Sequence, residues 1–311
     1  MKEPKRVIID TDPGIDDALA LILALESPEL KIEGITTVSG NVPSSMAAKN
    51  VLRILQLMDK DLPPVSEGSA SPLEKSPVWA HHVHGEDGLG GLYDKDDNTP
   101  KSAAFPDAVS LMLETAQRLS GELTLIALGP LTNLARAIQR DESTMKKIKE
   151  IIIMGGAVFI GGNITPYAEF NIFFDPHAAK IVFESGLPIT LVGLDVTNQC
   201  VLKRDVLLQK KKTEDRLNTF LYGITEKYLD FYHEKRGLDF CHLHDPLAVA
   251  VAVDPTLVAT EEMSIDVSLE ENRGMTSRKD QNTSPIKVCT NVDRERFEKL
   301  FCERVFEACR T

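Results

Sequence analysis

The sequence predicts an α/β fold, an open and mostly parallel sheet with helices on both faces, and three observations predict it. Short apolar runs rich in β-branched residues alternate with stretches of helical periodicity. Each run ends in Gly, Pro, Asp, Asn or Ser, the residues of turns. The polar residues best suited to chemistry gather just past those run ends, and in open parallel sheets ligands bind outside the carboxyl ends of the strands.

Taken in order, residues 7–9 (Val-Ile-Ile) form the first buried strand, which stops at Asp10-Thr11-Asp12-Pro13-Gly14. A helix follows over 16–25. The second strand covers 32–38 and closes at Ser39-Gly40-Asn41. From about Ser44 a second helix is marked by Ala47, Val51, Ile54 and Met58 at helical spacing. Residues 63–100, rich in Pro, Gly, Ser and charge, read as a long loop, and long loops within a domain are often functional. Strands return at 123–128, 151–154 and 188–192, ending at Gly129-Pro130, Gly155-Gly156 and Gly193-Leu194-Asp195, with a helix from Leu131 between the first two. Residues 204–236 read as helical and 271–284 as a polar loop. With no internal repeat and no low-complexity linker, residues 1–311 read as one domain.

Composition narrows the function. A chain of 311 residues that is 42% hydrophobic can bury a sizeable core. Its formal net charge of -12 disfavours nucleic acid and anionic membranes as partners, because both need a basic field. It suits a small neutral substrate or a bound cation. The five cysteines are odd in number and form no CxxC, which argues against a disulfide framework or a zinc knuckle and for a reducing cytoplasm. Lys2, Pro4 and Arg6 lead straight into the first strand with no apolar leader segment, so no signal peptide is expected. No apolar run approaches the ~20 residues that span a bilayer.

Asp10, Asp12, Asp16 and Asp17 fall within eight positions. Four carboxylates this close need shared protons, hydrogen bonds or a cation, and an all-oxygen set suits Ca²⁺ or Mg²⁺. An Asp pair alone would read as helix capping. An EF-hand starting at Asp10 fails, since Ile15 and Leu21 occupy its sixth and twelfth positions. Asp10 and Asp12 also have the spacing of the haloacid dehalogenase phosphatases, but Gly14 stands where that family has Thr.

The segment Asp10-Thr11-Asp12-Pro13-Gly14-Ile15-Asp16-Asp17-Ala18 resembles the signature of the inosine–uridine-preferring nucleoside hydrolases. The resemblance continues in order through Gly40-Asn41-Val42, His84-Gly85-Glu86-Asp87-Gly88-Leu89, Gly129-Pro130-Leu131-Thr132-Asn133 and Met154-Gly155-Gly156. It runs on through Asn163-Ile164-Thr165-Pro166-Tyr167-Ala168-Glu169-Phe170-Asn171 to His244-Asp245-Pro246, and so spans most of the chain.

The resemblance implies calcium-dependent hydrolysis of the bond between ribose and a nucleobase. It makes Asp12, Asp17, Asp245 and the carbonyl of Leu128 ligands of Ca²⁺. Asp12 is also the base that takes a proton from the attacking water, and Asp10 a support behind the cluster. Asp16, Asn41, Asn163, Glu169 and Asn171 are expected on the ribose, with Met154 beneath it. His244 is expected to protonate the leaving base, with His84 also on the base side and His81 and His82 at the surface. Taken singly, a loop Asn reads as a turn former, Met154 as strand core and a lone His as structural. Tyr228 and Tyr232, four apart on a helix, share one face; they line the base pocket or pack the helix. The family is commonly homotetrameric, sometimes dimeric. Its purine-specific members stack the base between tryptophans, whereas Trp79 is the only tryptophan here. Two rivals remain at this stage: a Mg²⁺-dependent phosphatase and a nucleoside binder without catalysis.

Overall fold

The computed structural model describes residues 3–58, 63–74, 76–77, 79–93, 107–209, 215–280 and 283–306. Eight strands build its main sheet. These are β1 (Lys5–Thr11), β2 (Leu30–Thr37), β3 (Val65–Glu67), β4 (Thr124–Ala127), β5 (Glu150–Met154), β6 (Ile189–Val192), β9 (Val258–Met263) and β12 (Ile286–Val292). Two small antiparallel pairs complete the strands: β7 (Val201–Lys203) with β8 (Phe240–His242), and β10 (Ile265–Val267) with β11 (Thr276–Arg278). The sheet order is β3-β2-β1-β4-β5-β6-β12-β9, parallel except for β9.

The sheet is buried on both faces, which is why its strands read as near-continuous apolar runs. Val7 and Ile9 point into one core with the helices Ile15–Leu25, Ser44–Met58, Arg216–Arg236, His244–Val253 and Arg294–Val305. Ile8 points into the other, with Ala108–Arg118, Thr132–Arg140 and Pro176–Glu184. The chain leaves β1 toward β2 and β3, then returns to place β4 on the other side of β1. The reversal opens a crevice past the carboxyl ends of β1 and β4, where open α/β sheets bind ligands.

Several expectations are refined. Strand β1 runs on to Thr11, so Asp10 lies within the ladder, opposite Thr36 and Ala127, rather than beyond it. The long loop of 63–100 contains β3 and a helical turn, His81–His84, and its residues 94–100 lie outside the described residues. Within the helical stretch 204–236 the described residues form the helices Arg204–Gln209 and Arg216–Arg236, and residues 210–214 lie outside the described residues. The polar loop 271–284 holds β11. Strands β9 and β12 and the last helix had no counterpart in the sequence reading. β9 is an exposed edge strand reading VATEEM, without the apolar run that marks its neighbours.

Candidate active site

The site grows from the N-termini of two helices packed side by side. Ile15–Leu25 begins with Asp16 and Asp17 in its first turn, and His244–Val253 begins with Asp245 in its own. Their packing brings one oxygen each of Asp16, Asp17 and Asp245 within 4.8 Å of one another, all three side chains buried. The two helix dipoles add positive potential where these carboxylates meet.

Each neighbouring carboxylate is held differently. Asp17 is almost saturated: Oδ1 accepts from the Thr11 hydroxyl and Asp12 N, and Oδ2 from Gly14 N at 2.9 Å and Asn41 Nδ2 at 3.1 Å. Asp12 Oδ2 accepts Asn41 N at 2.6 Å. Gly40 and Gly129 must be glycines here, because a Cβ at either would collide with the Asp12 carboxylate. Asp10 Oδ1 accepts the Thr36 hydroxyl at 2.6 Å and Asn133 Nδ2 at 2.8 Å, which ties the cluster to β2 and to the helix Thr132–Arg140.

Three buried carboxylate oxygens of this cluster are left without a hydrogen-bond partner: Asp10 Oδ2, Asp12 Oδ1 and Asp16 Oδ1. Burial pushes the Asp10 carboxyl up to about 7; burial and then the Asp17 charge push Asp16 up to about 8. Burial and neighbouring aspartates likewise raise Asp12 and Asp245 well above the ordinary carboxylate range. Orphaned buried oxygens and mutual repulsion are what a bound cation relieves, and a hard, oxygen-only donor set fits calcium. The resemblance groups Asp12 with Asp17 and Asp245 and gives Asp16 to the sugar. The tight triad contains Asp16 instead, with Asp12 adding an unpartnered oxygen close by.

A cavity opens over this cluster. It is lined by Asp16, Asn41, His84, Leu128, Met154, Asn163, Glu169, Asn171, Tyr228, Tyr232, His244 and Asp245, all singled out from sequence. Glu169 caps the helix Phe170–Phe174, accepting Asn171 N and Ile172 N, and also takes Gly156 N at 3.0 Å. Asn171 Nδ2 reaches the carbonyls of Leu128 at 2.6 Å and Met154 at 3.2 Å, bridging the ends of β4 and β5. Asn163 Oδ1 accepts Phe170 N at 3.0 Å.

Aromatic rings line the cavity beside the acidic residues, with His84 Nδ1 4.0 Å from Asp16 Oδ1. Ring centroids step from His84 to Tyr228 (5.7 Å), Tyr232 (5.1 Å), His242 (5.5 Å) and His244 (5.3 Å). Both tyrosines are buried, as helix packing requires, and both line the cavity. His84 Nδ1 accepts Ile15 N at 3.0 Å, which leaves its proton on Nε2. Burial lowers the ring to about 3, so it is neutral. His244 Nδ1 pairs with the Thr197 hydroxyl at 2.8 Å, and burial followed by the neighbouring His242, Arg236 and His84 holds it well below 6.5.

Sequence reasoning missed Thr197, which carries no local signal, and Phe231 and Arg236, which also line the cavity. The last two had a signal, since 228, 231, 232 and 236 form one helical stripe. His82, expected at the surface, is exposed and also borders the cavity mouth. Arg236 is the one lysine or arginine among the described lining residues, and it sits on the aromatic side, its guanidinium 5.5 Å from the Tyr232 ring. No basic cradle for a phosphate lies among the lining residues beside Asp12, which removes the support for a phosphatase.

Comparison with known proteins agrees. The family model described as inosine-uridine preferring nucleoside hydrolase matches residues 7–299. Uridine nucleosidase 1 of Arabidopsis thaliana is 41% identical over 254 residues, covering 81% of this chain and 75% of its own. A solved plant nucleoside hydrolase superposes with a TM-score of 0.91 at 37% identity, covering 97% of this chain and 99% of its own. A purine-preferring ribonucleoside hydrolase from Gardnerella vaginalis does so with the same TM-score at 35% identity, covering 97% and 98%. With an oxygen cluster suited to calcium beside a cavity lined by polar and aromatic side chains, these likenesses make the molecule a hydrolase of N-glycosidic bonds in ribonucleosides, and the chain belongs to the inosine-uridine preferring nucleoside hydrolase family.

Proposed function

We propose that this chain is a calcium-dependent ribonucleoside N-ribohydrolase with uridine among its substrates, acting as one domain in a cytoplasmic homodimer or homotetramer. The observation that carries the reading is the polarity of the cavity. Buried carboxylates, Asp245 and Asp16 with its unpartnered oxygen, line one part, and aromatic rings with two neutral imidazoles line another. A ribose belongs at the first and a base at the second. Among the described residues no helix is long and apolar enough to cross a membrane.

Asp16, Asp17 and Asp245, with the free Oδ1 of Asp12 and the carbonyl of Leu128, are the groups that would hold the ion, and Asp10 steadies Asp12 from behind. When bound, calcium supplies the charge that acidifies the attacking water and orients ribose hydroxyls. Asp12 Oδ1 takes the proton of the water that adds to C1′ as the C1′–N bond breaks. Asp16, Asn41, Asn163, Glu169 and Asn171 hold the hydroxyls, and Met154 lies beneath the sugar. The electron pair of the broken bond goes to the base, which His244, assisted by His84, Tyr228 and Tyr232, receives with N–H and O–H donors. Because both imidazoles rest neutral, they act through a donated hydrogen rather than a standing positive charge.

A reducing-sugar assay across uridine, cytidine, inosine, adenosine and guanosine tests the proposal. Ribose released from uridine, and lost in Asp12→Asn, is the expected result. Tight uridine binding with no ribose from any of the five would overturn it.

A further inference from the structure

Asn50 sits in the helix Ser44–Met58, fully buried, and no part of the reaction described above uses it. Its amide nitrogen donates to two different loops. One acceptor is the carbonyl of Pro13, at 3.2 Å, between Asp12 and Gly14. The other is the carbonyl of Asp87, at 2.7 Å, three residues after His84. Asn50 Oδ1 accepts Arg53 Nη1 at 2.7 Å, which decides which way the amide faces. Both hydrogens and the carbonyl oxygen of the side chain are therefore committed.

The loop that Asn50 holds is itself tied into a knot. Asp87 Oδ1 accepts Leu89 N at 2.9 Å and Gly91 N at 2.8 Å, and Oδ2 accepts Tyr93 N at 2.9 Å. The buried Arg53 guanidinium lies 4.5 Å from the centre of the Tyr93 ring, closing the knot back onto the Asn50 helix. Gly90 N donates to the His84 carbonyl at 2.8 Å, so the knot extends to the histidine. The loop and the turn also touch directly. A Cβ at Gly88, where φ is +79, would stand 2.7 Å from the Pro13 carbonyl oxygen and 3.0 Å from Asn50 Nδ2. His84 Nδ1 is anchored on Ile15 N, one residue before Asp16.

We propose that Asn50 is a positioning residue that locks the loop carrying His84 onto the turn carrying Asp12, so that calcium at the turn and the imidazole on the base side are set in place together. A buried amide costs stability unless fully paired, and an apolar residue would fill the same space without that demand. What the amide supplies is a link between two loops that bear different halves of the chemistry. Small misplacements of a reacting group can cost about a hundredfold in rate, so the link bears directly on turnover. The kinetic part of this inference rests on the ribonucleoside hydrolase reading; the coupling of calcium to His84 does not.

The test uses Asn50→Leu, His84→Ala and their double variant, assayed at saturating calcium on uridine and on p-nitrophenyl riboside, whose leaving anion needs no proton. Asn50→Leu should lower kcat/KM on uridine by about 10–100-fold. It should change the p-nitrophenyl riboside by no more than about twofold, and on the His84→Ala background it should cost uridine cleavage no more than about twofold further. The calcium concentration for half-saturation should rise about tenfold, as for other residues that steady metal ligands. An equal fall on both substrates, or full additivity with His84→Ala, would show Asn50 to be a structural residue and overturn the proposal.

If Asn50→Leu does not fold, the wild-type protein decides. Nitrogen-15 spectra of the His84 ring should shift when chelator removes calcium and return when calcium is restored at one equivalent. A His84 ring indifferent to calcium would overturn the coupling. Failure of the wild type to release ribose from any nucleoside would instead refute the hydrolase reading, and the spectra would still decide the coupling.

Discussion

Asp12 and His244 stand on opposite sides of the cavity chemistry, and the division can be tested at single residues. Asp12 has a free oxygen near the acidic triad, whereas His244 belongs to the aromatic wall. General-acid help is worth ~10²–10⁴ in rate, or roughly 3–5 kcal/mol of barrier. His244→Ala should slow uridine cleavage by that order and spare the p-nitrophenyl riboside, while Asp12→Asn should slow both. Equal losses on both substrates in His244→Ala, and again in a His84→Ala/His244→Ala pair, would remove the leaving-group role from this wall. The sugar end offers a second measurement. Asp16 and Asp245 line the cavity as buried carboxylates, and a site built to bond a hydroxyl rejects its deoxy analogue by up to ~10⁴. Uridine should be turned over far faster than 2′-deoxyuridine, and equal rates would contradict the placement of the ribose. At this scale Asp12 and Asn41 were legible because each follows a strand that local pattern reveals, whereas Glu169 and Asp245 were reached through the family resemblance. Thr197 and Asn133 were not identified as site residues, because their importance comes from hydrogen bonds to side chains 47 and 123 positions away.

Among elements, one side chain adds links from β2 to two neighbours beyond its backbone ladders. Glu33 accepts from Arg6 of β1 at 2.7 Å and from Arg118, at the end of the helix Ala108–Arg118, at 3.0 Å. Burial by itself would raise the Glu33 carboxyl, but the two arginines outweigh it and hold the group below its ordinary value. A carboxyl depressed in the folded state stabilises above its unfolded value of about 4.3 and loses that contribution as pH falls through the folded value. Glu33→Gln should therefore lower the melting temperature near pH 7 by roughly 2 °C, since a part-exposed pair is worth about 1 kcal/mol or less. The difference from wild type should vanish once pH has fallen below the depressed folded value. A deficit that persists unchanged there would show that Glu33 acts through packing. The pair was invisible in the sequence because Glu33 and Arg118 are 85 positions apart. The apolar strands, by contrast, were visible because burial on both faces leaves a continuous signature. β9 carries no such signature, having one edge and most of its side chains in water.

Across the whole molecule, calcium should act as part of the fold. Buried carboxylates with raised proton affinities oppose folding when charged and unpartnered, and a cation that binds only the folded chain reverses this. Calcium at about a hundred times its dissociation constant should add roughly 3 kcal/mol of stability. Thermal melts with calcium and with chelator should differ by several degrees in the wild type and coincide in Asp17→Asn. Coinciding melts in the wild type, with no divalent ion in an active preparation, would remove calcium from the site. The sequence by itself determined the α/β class, the ends of β2, β4, β5 and β6 to within a residue, and the turn residues just past them, because each follows from periodicity and turn chemistry within a few neighbouring positions. Only the tertiary structure decided that Asp16 rather than Asp12 joins Asp17 and Asp245 in the tight triad, which oxygens remain unpaired, and that His84 hangs on the backbone of Ile15. Those outcomes depend on how the helices Ile15–Leu25 and His244–Val253 pack against each other across more than 200 intervening residues; local propensity carries no information about which oxygen of a carboxylate such packing leaves facing a cavity.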